Sequence, residues 1–592
     1  ICLVMPNESF YKRVPVSVPH KSGFDKSFRN LFTAKCGTLV PILCDEVIPN
    51  TTVHLDLALS AQLPPLASET FMNVDYKVEA FFCPTRLLMA SYEDWLSGND
   101  TFSKNDTTKY LRAPIIQFSP AQAAPGTLLD YLGVMADGNG TEMTTQSVCT
   151  AFPILAYHLI WNDWYRNSLV QKSLYLSKIE NDVLNFGAGY CPAFMKWWTP
   201  EEGSNDYILT NSTLFADNSS PLSLRQRNFG MDYFTMATPS AQNGEVQKVT
   251  MQLPQNQAIF FQSSRASSAA ISDSGELTTT SGVLRNVGFQ ETTTASSPLS
   301  SVSFTVPALR AVNSMQMFLE RNNLIGNRLV DFVKGQYGAT LKDSIAQRPV
   351  YLGSFSFPVY SKGVYQSNQE NSNDVASQNP FNSVGARYGH AYAEGNGSLI
   401  DFTAEEPGYI MVIGSLVPEV TYSSGIEKYL KRYTERKSQS DMANPILQNV
   451  GNEPIFDEEL DANALFNESG SYAKSVFGYV ERYASWKTRN HQLHGLLRDG
   501  QSLQSFALQR YINTGVSDNA QISTRFLEIP TSFMDQVSAV EDAISDYGVW
   551  VDCYFKYAVS MPLYEYSLPS LQDPAWEHGN VFTIPRGGVR ID

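Results

Sequence analysis

The sequence predicts a mainly β protein built from antiparallel sheets. Residues 51–63, TTVHLDLALSAQL, are apolar at every odd position from Val53 to Leu63 and mostly polar between them. Residues 74–82, VDYKVEAFF, repeat this two-residue period. Such alternation places one face of a strand in a core and the other in a polar environment, which is typical of antiparallel sheets. Helical periodicity is confined to a few segments, which long irregular stretches separate.

Length and composition limit the classes of protein to consider. A chain of 592 residues is long enough for three or four ordinary domains, or for one domain with large insertions. Aromatic residues make up 12% of it and charged residues only 17%, which predicts much buried surface, including surface against other subunits. The formal charge of −16 argues against a protein that coats nucleic acid with its whole surface. Any contact with nucleic acid is therefore expected to be local.

Three segments predict helices. Residues 152–169 carry apolar and aromatic residues at helical spacing and predict a buried amphipathic helix. Residues 306–323 place a proline in the first turn and separate an apolar side, which includes Leu309 and Met315, from a polar side with Gln316. Residues 424–437 are rich in Lys and Arg, which favours a solvated helix face over a nucleic-acid contact.

Two long polar segments interrupt the pattern. Residues 253–303 are rich in Ser, Thr and Ala and can bury little surface of their own. They predict either a disordered loop or an exposed insertion ordered by partners, and their content of Thr and Val favours the second. Residues 365–396 form a second polar loop. Long loops on a β scaffold are common places for recognition.

The sequence contains no complete motif for catalysis or phosphate binding, so we predict no catalytic residues, no metal site and no cofactor. His491 and His494 lack nearby further ligands. Adjacent acids such as Asp45 and Glu46 point to opposite faces of a strand and do not form a carboxylate pair. Seven scattered cysteines predict reduced, mostly buried thiols. They are Cys2, Cys36, Cys44, Cys83, Cys149, Cys191 and Cys553. No apolar run approaches the roughly 20 residues of a membrane-spanning helix.

Seven sequence motifs resemble those of a known family. In chain order the motifs are LVPILCDEVIPNTTV (39–53), AYHLIWNDWYRN (156–167), MDYFTMATPSAQNG (231–244), LRAVNSMQMFLERN (309–322), QRPVYLG (347–353), VFGYVERYASWK (476–487) and VDCYFKYAVSMPLY (551–564). Together they resemble the major capsid proteins of the Microviridae, small icosahedral single-stranded DNA bacteriophages, and in particular the gokushovirus branch. Each motif alone is weak, but the combination spans most of the chain in the family's order.

The resemblance implies an eight-stranded viral jelly roll with long inter-strand insertions that contain a few helices. It implies a single capsid domain over residues 37–592 and self-assembly into a T=1 icosahedral shell around a circular single-stranded DNA genome. Assembly would take place in the cytoplasm of the host bacterium, and the chain would reside in the virion. In this branch an insertion after the DYFT segment builds protrusions at the three-fold axes. Residues 253–303 follow DYFT here, so we expect them to be exposed outside the shell and used in host attachment.

The same resemblance supplies a set of partners. We expect further copies of the chain, packaged single-stranded DNA, a small basic DNA-binding protein, an internal scaffolding protein, a DNA pilot or minor capsid protein, and a receptor on the bacterial surface. The basic protein is expected on physical grounds too, because an acidic shell subunit cannot neutralise the phosphates of a genome by itself. No membrane partner is expected.

The N-terminal arm, residues 1–36, holds the candidate DNA contacts. It is locally basic, in contrast to the chain as a whole. The candidates are Lys12, Arg13, Lys21, Lys26 and Arg29, with Lys35 as a further basic residue. We predict that this arm faces the shell interior and touches DNA; an arm tied to a neighbouring subunit is the alternative. Two other classes are alternatives to a capsid protein: a surface or secreted β-sandwich that binds glycans, and a glycan-active β enzyme with two convergent carboxylates.

Overall fold

The computed structural model describes residues 21–89, 92–97, 113–134, 147–174, 208–211, 214–244, 306–365, 387–431, 452–456, 459, 476–510, 522–540 and 542–563, together with the backbone of four strands between residues 257 and 291. The candidates Lys12 and Arg13 lie outside these ranges, as do Cys2 and Cys191. Most of the two predicted polar segments, residues 264–268 and 366–386 among them, lies outside as well.

The described residues are mainly β structure. The strands are β1 Ser22–Asp25, β2 Phe28–Ala34, β3 Val40–Val47, β4 Thr52–Gln62, β5 Val74–Pro84, β6 Ile115–Phe118, β7 Ser147–Thr150, β8 Ile208–Leu209, β9 Gln257–Ser263, β10 Ala269–Ile271, β11 Leu277–Thr279, β12 Leu284–Glu291, β13 Val350–Pro358, β14 Tyr360–Tyr365, β15 Arg387–Thr403, β16 Gly408–Pro418, β17 Asn452–Phe456, β18 Val476–Glu481 and β19 Val549–Met561.

The helices are fewer and mostly short. They are α1 Tyr92–Ser97, α2 Leu128–Tyr131, α3 Phe152–Ile160, α4 Val306–Ile325, α5 Leu329–Tyr337, α6 Lys428–Lys431, α7 Ala484–Lys487, α8 Thr524–Leu527 and α9 Ala543–Tyr547. A π-helical turn, Trp161–Tyr165, continues α3. The mainly β fold class predicted from the alternating segments is thus confirmed.

The first alternating segment forms β4, and its burial follows the sequence pattern residue by residue. Each odd-numbered residue of β4 is buried, and each even-numbered one is exposed or half-buried. Strand β5 shows the same alternation over its first half and is buried on both sides over its second half. The alternation therefore identified both strands and the side on which the core lies.

Eight of the strands build the jelly roll. Sheet A places β2, β19, β4 and β15 side by side, with β1 as a further partner of β19 and β14 at the far edge. Sheet B has the order β13, β5, β16 and β3. The chain switches between the sheets at nearly every step from β2 to β19, and all neighbours in both sheets are antiparallel. This is the strand order of a jelly roll, so the predicted architecture is confirmed.

The main core lies between the two sheets. Leu55 and Leu57 of β4 and Phe555 of β19 point inward from sheet A, and Tyr76 and Val78 of β5 meet them from sheet B. All five side chains are buried to within a few per cent. Full burial of a large apolar side chain contributes about 1.5–3 kcal/mol, so this layer holds the two sheets together.

A second layer covers the outer face of sheet B. Helix α3 and a small sheet of β7, β6 and β8 belong to a separate apolar cluster, in which Phe81 of β5 and Met411 of β16 pack with Leu155. All of α3 except Pro153 is buried. The helical turns end at Tyr165, four residues before the predicted end, because Arg166 adopts an extended backbone conformation.

The structure agrees with the predictions for the remaining segments to different extents. Helix α4 covers the predicted residues 306–323 and extends to Ile325. In the basic segment, only α6 and the residues before it are described, and Lys428 is buried there rather than solvated. In the insertion 253–303, β9 pairs with β12 and β10 with β11, both antiparallel. Residues 387–396 of the second polar segment belong to β15.

Candidate functional site

The outer face of sheet A is an open surface of the sandwich. Every second residue of β19, from Trp550 to Ala558, points away from the core, and so do alternate residues of β2, β4 and β15. Among the described residues no second layer covers this face, in contrast to sheet B. We call it the open face. Of the predicted DNA contacts that the structure describes, Lys21 and Arg29 lie on or beside it.

Arg29 of β2 lies on the open face and is paired with Asp552 of β19. Its Nε donates to Oδ1 of Asp552 over 2.8 Å, and Nη2 donates to Oδ2 over 2.5 Å. The paired hydrogen bonds raise the pKa of Arg29 and lower that of Asp552. Both side chains remain more than a third exposed, so the pair adds little stability. The guanidinium can thus exchange its carboxylate for a phosphate.

Lys26 is directed toward the carboxylate of Asp45, and its side chain is 37% exposed. It lies between β1 and β2, and its Nζ contacts the Asp45 carboxylate and sits 5.3 Å from the centre of the Tyr557 ring. The Tyr557 hydroxyl donates to the same carboxylate over 2.7 Å. Burial, followed by the nearby Asp45, raises the pKa of Tyr557. Lys26 therefore contacts Asp45 and Tyr557 within the subunit and is less available to DNA than its charge alone predicts.

The remaining basic residues of the arm are more open. Lys21 is exposed, and its Nζ lies 3.5 Å from Oγ1 of Thr52, which is a weak contact. Lys35 is exposed just after β2. The described part of the arm thus brings Lys21 and Arg29 to the open face and directs Lys26 away from it.

Aromatic side chains on the open face were not among the predicted contacts. Trp550 and Tyr554 of β19 are each about half exposed, at 49% and 50%. At the opposite edge, Lys362 Nζ donates to the Tyr392 hydroxyl over 2.7 Å and lies 5.0 Å from the centre of its ring. Tyr360 lies beside them, with ring centres 6.4 Å apart. Exposed rings next to cations are the elements of a surface that stacks nucleic-acid bases.

The charges of the open face are mixed. Lys556 lies 3.8 Å from Asp56, and His54 lies 3.3 Å from Asp401. All four side chains are at least half exposed, so these pairs are weak and screened by salt. Such a face can hold nucleic acid through stacking and a few cations, but it cannot neutralise a long run of phosphates.

A groove of about 940 Å³ runs along the β2 edge of this face. It lies between β2, the end of β19 and the loop that contains α2. Arg29, Leu31, Tyr131 and Trp550 are among its lining residues. A cation, an apolar side chain and two aromatic rings thus share one concave surface.

Comparison with known proteins identifies the class of the molecule. The model of the family described as "Capsid protein (F protein)" matches residues 12–571, which is nearly the whole chain. The chain belongs to this capsid protein family. The resemblance to a microvirus capsid protein, drawn from the seven motifs, is thereby confirmed. The family assignment also favours a shell protein over a secreted glycan-binding sandwich or a glycan-active enzyme.

Three relatives support the assignment along the full length of the capsid protein. Capsid protein VP1 of Chlamydia phage 1 is 26% identical, over 96% of this chain and 98% of that protein. Capsid protein VP1 of Bdellovibrio phage phiMH2K is 24% identical, over 95% and 98%. Capsid protein VP1 of Spiroplasma virus 4 is 21% identical, over 95% of each chain. Both the jelly roll and the insertions therefore lie within the matched region.

The described residues of the capsid protein contain no group of three or more His, Cys, Asp or Glu side chains that could hold a metal ion. Exposed His491 pairs with Glu419, with Nε2 2.9 Å from Oε1. Asp45 points toward Tyr557, whereas Glu46 is exposed on the other side of β3. Among the described helices none is long and apolar enough to cross a membrane.

The five described cysteines are free thiols. Burial raises the pKa of Cys44 and of Cys553 to about 12, so neither thiol ionises near neutral pH. Cys36 and Cys83 are fully buried, and burial raises their pKa values as well. These cysteines act as small apolar core residues.

Proposed function

We propose that the capsid protein assembles into a closed T=1 icosahedral shell that encloses a circular single-stranded DNA genome, with the open face of sheet A turned inward. The observation that carries this proposal is the asymmetry of the sandwich. Sheet B is covered by a layer of the chain itself, whereas sheet A exposes aromatic and basic side chains beside the N-terminal arm. An inward open face would bring these groups to the genome.

The shell would require other components. The net charge of −16 leaves genome phosphates without counter-charges, so a small basic packaging protein is proposed as a partner. An internal scaffolding protein during assembly and a DNA pilot or minor capsid protein are proposed from the family resemblance. Assembly would take place in the cytoplasm of the bacterial host.

The assembly proposal is tested by negative-stain microscopy and size analysis of the expressed chain, alone and together with the phage's other structural proteins. Closed isometric particles of uniform size would support it. Monomers or irregular aggregates in both preparations would contradict it. A monomer alone but particles on co-expression would support the proposal and show that scaffolding is required.

The interior position of the arm gives a prediction about packaged DNA. Reversing the charge of Lys12, Arg13 and Lys21 to Glu is expected to cut the DNA content of particles to about half or less, because each reversal removes a phosphate partner and adds a repulsive charge. Lys26 is left unchanged, since its contact with Asp45 would make a loss of folding indistinguishable from a loss of DNA. The ratio of absorbance at 260 and 280 nm of purified particles measures the result.

The matched control reverses Lys172 and Arg489, which are exposed and lie outside the open face. Particles of this control are expected to hold the DNA content of the unaltered capsid. An unchanged DNA content in the arm variant would reject the DNA-binding role and favour an arm tied to a neighbouring subunit.

The insertion 253–303 is proposed as the exposed attachment segment. Its described backbone forms two antiparallel strand pairs, β9 with β12 and β10 with β11. Replacing residues 253–303 by a short Gly/Ser linker is expected to preserve particles but to reduce adsorption to host cells at least about tenfold. The reason is that the change removes a binding loop and leaves the scaffold that carries it intact. Particles that adsorb normally would limit the insertion to a spacer role.

A further inference from the structure

Helix α4 packs on the rest of the chain in an unusual way. It spans 20 residues, and only Asn323 among them is buried. Several of its large apolar side chains are exposed instead, including Met317 at 62% and Leu324 at 46%. These two residues are seven positions apart, which is close to two helical turns, so they lie on one side of the helix. Leu309 and Met315 of the predicted apolar side are exposed as well, at 44% and 46%.

Two polar side chains of α4 anchor it to the body. Nδ2 of Asn323 donates to Oγ1 of Thr238 over 3.0 Å and to the carbonyl oxygen of Ser240 over 2.6 Å. Two helical turns earlier, Gln316 donates to the side chain of Gln242. The helix is thus anchored by amides on the side where a surface helix normally places its apolar stripe.

Helix α5 braces α4 and extends the exposed surface. Phe318 and Phe332 meet edge to face with ring centres 6.5 Å apart, and Arg321 donates to the carbonyl oxygen of Gly335 over 2.7 Å. A side chain at Gly335 would bring a Cβ within 2.6 Å of Ile325, so glycine permits the close approach of the helices. Leu329 at the start of α5 is again exposed. We call α4 and α5 together the helical hairpin.

We propose that the exposed apolar side of the helical hairpin is a contact between subunits, and that its occupant is a second copy of this chain. The proposal rests on the assembly proposed above and names one surface that carries it. Exposed apolar patches on otherwise polar helices mark protein interaction sites. A member of a capsid family meets copies of itself on several sides, and a closed shell gives every subunit the same neighbours.

The size and charge of the surface fit this occupant. The two helices are ~30 and ~14 Å long and ~10 Å wide, which gives ~450 Å² of projected face, over half of the ~800 Å² that one partner contributes to a standard interface. The charged residues around the apolar stripe have both signs, with Arg310 and Arg321 beside Glu320 and Asp331. This mixture suits a polar rim around an apolar contact better than a surface for nucleic acid or anionic lipid.

The first experiment changes the chemistry of the stripe. The double variant Met317→Glu/Leu324→Glu is expected to lower the yield of closed particles at least about tenfold, because two buried charges would lack partners in the contact. The matched control Met317→Leu/Leu324→Met keeps both positions apolar and should assemble normally. Circular dichroism and urea unfolding of the unassembled subunit should be unchanged in both variants, since the altered side chains are exposed.

The outcomes separate this inference from the proposed function. Normal particle yield from the Glu variant, with particles also formed by the unaltered chain, would overturn the inference and leave the shell proposal intact. Failure of the unaltered chain to form particles under all conditions would instead contradict the shell proposal.

A crosslinking experiment identifies the occupant even if the Glu variant fails to fold. A photo-crosslinking amino acid is placed at position 317, assembled particles are irradiated, and the products are analysed by mass spectrometry. Crosslinked pairs of two copies of the chain would support the proposal. Crosslinks only within one copy, or to another virion protein, would show that a different segment or partner covers the hairpin and would overturn it.

Discussion

Replacement of Arg227 by Met is expected to lower the free energy of unfolding of the subunit by about 3 kcal/mol, at the lower end of the range for a buried ion pair, because it leaves the carboxylate of Glu79, which is only 18% exposed, without its partner. Arg227 lies beneath the second layer and binds Glu79 of β5 with both terminal nitrogens, at 2.7 and 3.1 Å. Nη1 also donates to Ser415 of β16 over 3.0 Å, and the Tyr165 hydroxyl donates to Glu79 over 2.5 Å. One guanidinium thus joins both central strands of sheet B to the segment that follows α3.

The measurement is urea unfolding of the unassembled subunit. Arg86→Met is the matched control, because Arg86 pairs with Glu406 in similar geometry but both side chains are about 30% exposed, at 29% and 31%. We expect a loss of about 1 kcal/mol or less there. The double variant Glu79→Gln/Arg227→Met should recover part of the loss, since no unpaired charge remains. A loss for Arg227→Met as small as that of Arg86→Met would show that water reaches Glu79 and that the network is not a buried one.

Local periodicity was sufficient to find strands but not to arrange them. The alternation in residues 51–63 fixed both the span of β4 and the side that faces the core, because the period of a strand is short enough to read in one segment. The same rule assigned Glu79 to the polar side of β5, where it does lie. The rule could not show that a second layer covers this side, since the layer comes from α3 and from Arg227, far along the chain. The strand order of the jelly roll depends on equally remote pairings and was available only through the family resemblance.

The candidate DNA surface shows what charge alone can and cannot predict. Lys26 and Arg29 were predicted as DNA contacts from their charge, but the fold places them beside Asp45 and Asp552, which no local pattern reveals. The exposed rings of Trp550 and Tyr554 were overlooked, although β19 alternates as clearly as β4. Reading the outward residues of each strand as a set, rather than counting basic residues in the arm, would have found them.

Helix α4 shows a second limit of prediction from sequence periodicity. An apolar side was predicted from the sequence, although Met317 and Leu324 were not assigned to it, and the predicted span of the helix was close to that observed. Periodicity reports only that a helix has an apolar side, and it does not say whether the core of the same chain or another molecule covers that side. For α4 the polar anchors at Gln316 and Asn323 decide this question, and they become visible only once Thr238 and Gln242 are placed beside them.

Replacement of Phe81 by Ala is expected to destabilise the subunit by about 3–5 kcal/mol, the usual cost of emptying a buried aromatic site. Phe81 lies on the outer side of β5, and its ring centre is 5.7 Å from that of Trp164, 5.9 Å from that of Tyr165 and 5.7 Å from that of Tyr351. These rings come from the π-helical turn and from β13, so the cavity would open where the second layer meets sheet B. The neighbouring aromatic side chains are too rigid to fill it.

The matched control is Phe71→Ala, since Phe71 is exposed and its loss should change the free energy of unfolding by no more than about 0.5 kcal/mol. Urea unfolding is followed by far-UV circular dichroism and by tryptophan fluorescence, to which Trp164 beside the site contributes together with the seven other tryptophans of the chain. If the second layer is an integral part of the subunit, the Phe81→Ala variant should unfold in one transition at lower urea. Two transitions, with the fluorescence change first, would show instead that the layer over sheet B can detach while the jelly roll stays folded. In that case the layer that distinguishes sheet B from sheet A would be a separate unfolding unit.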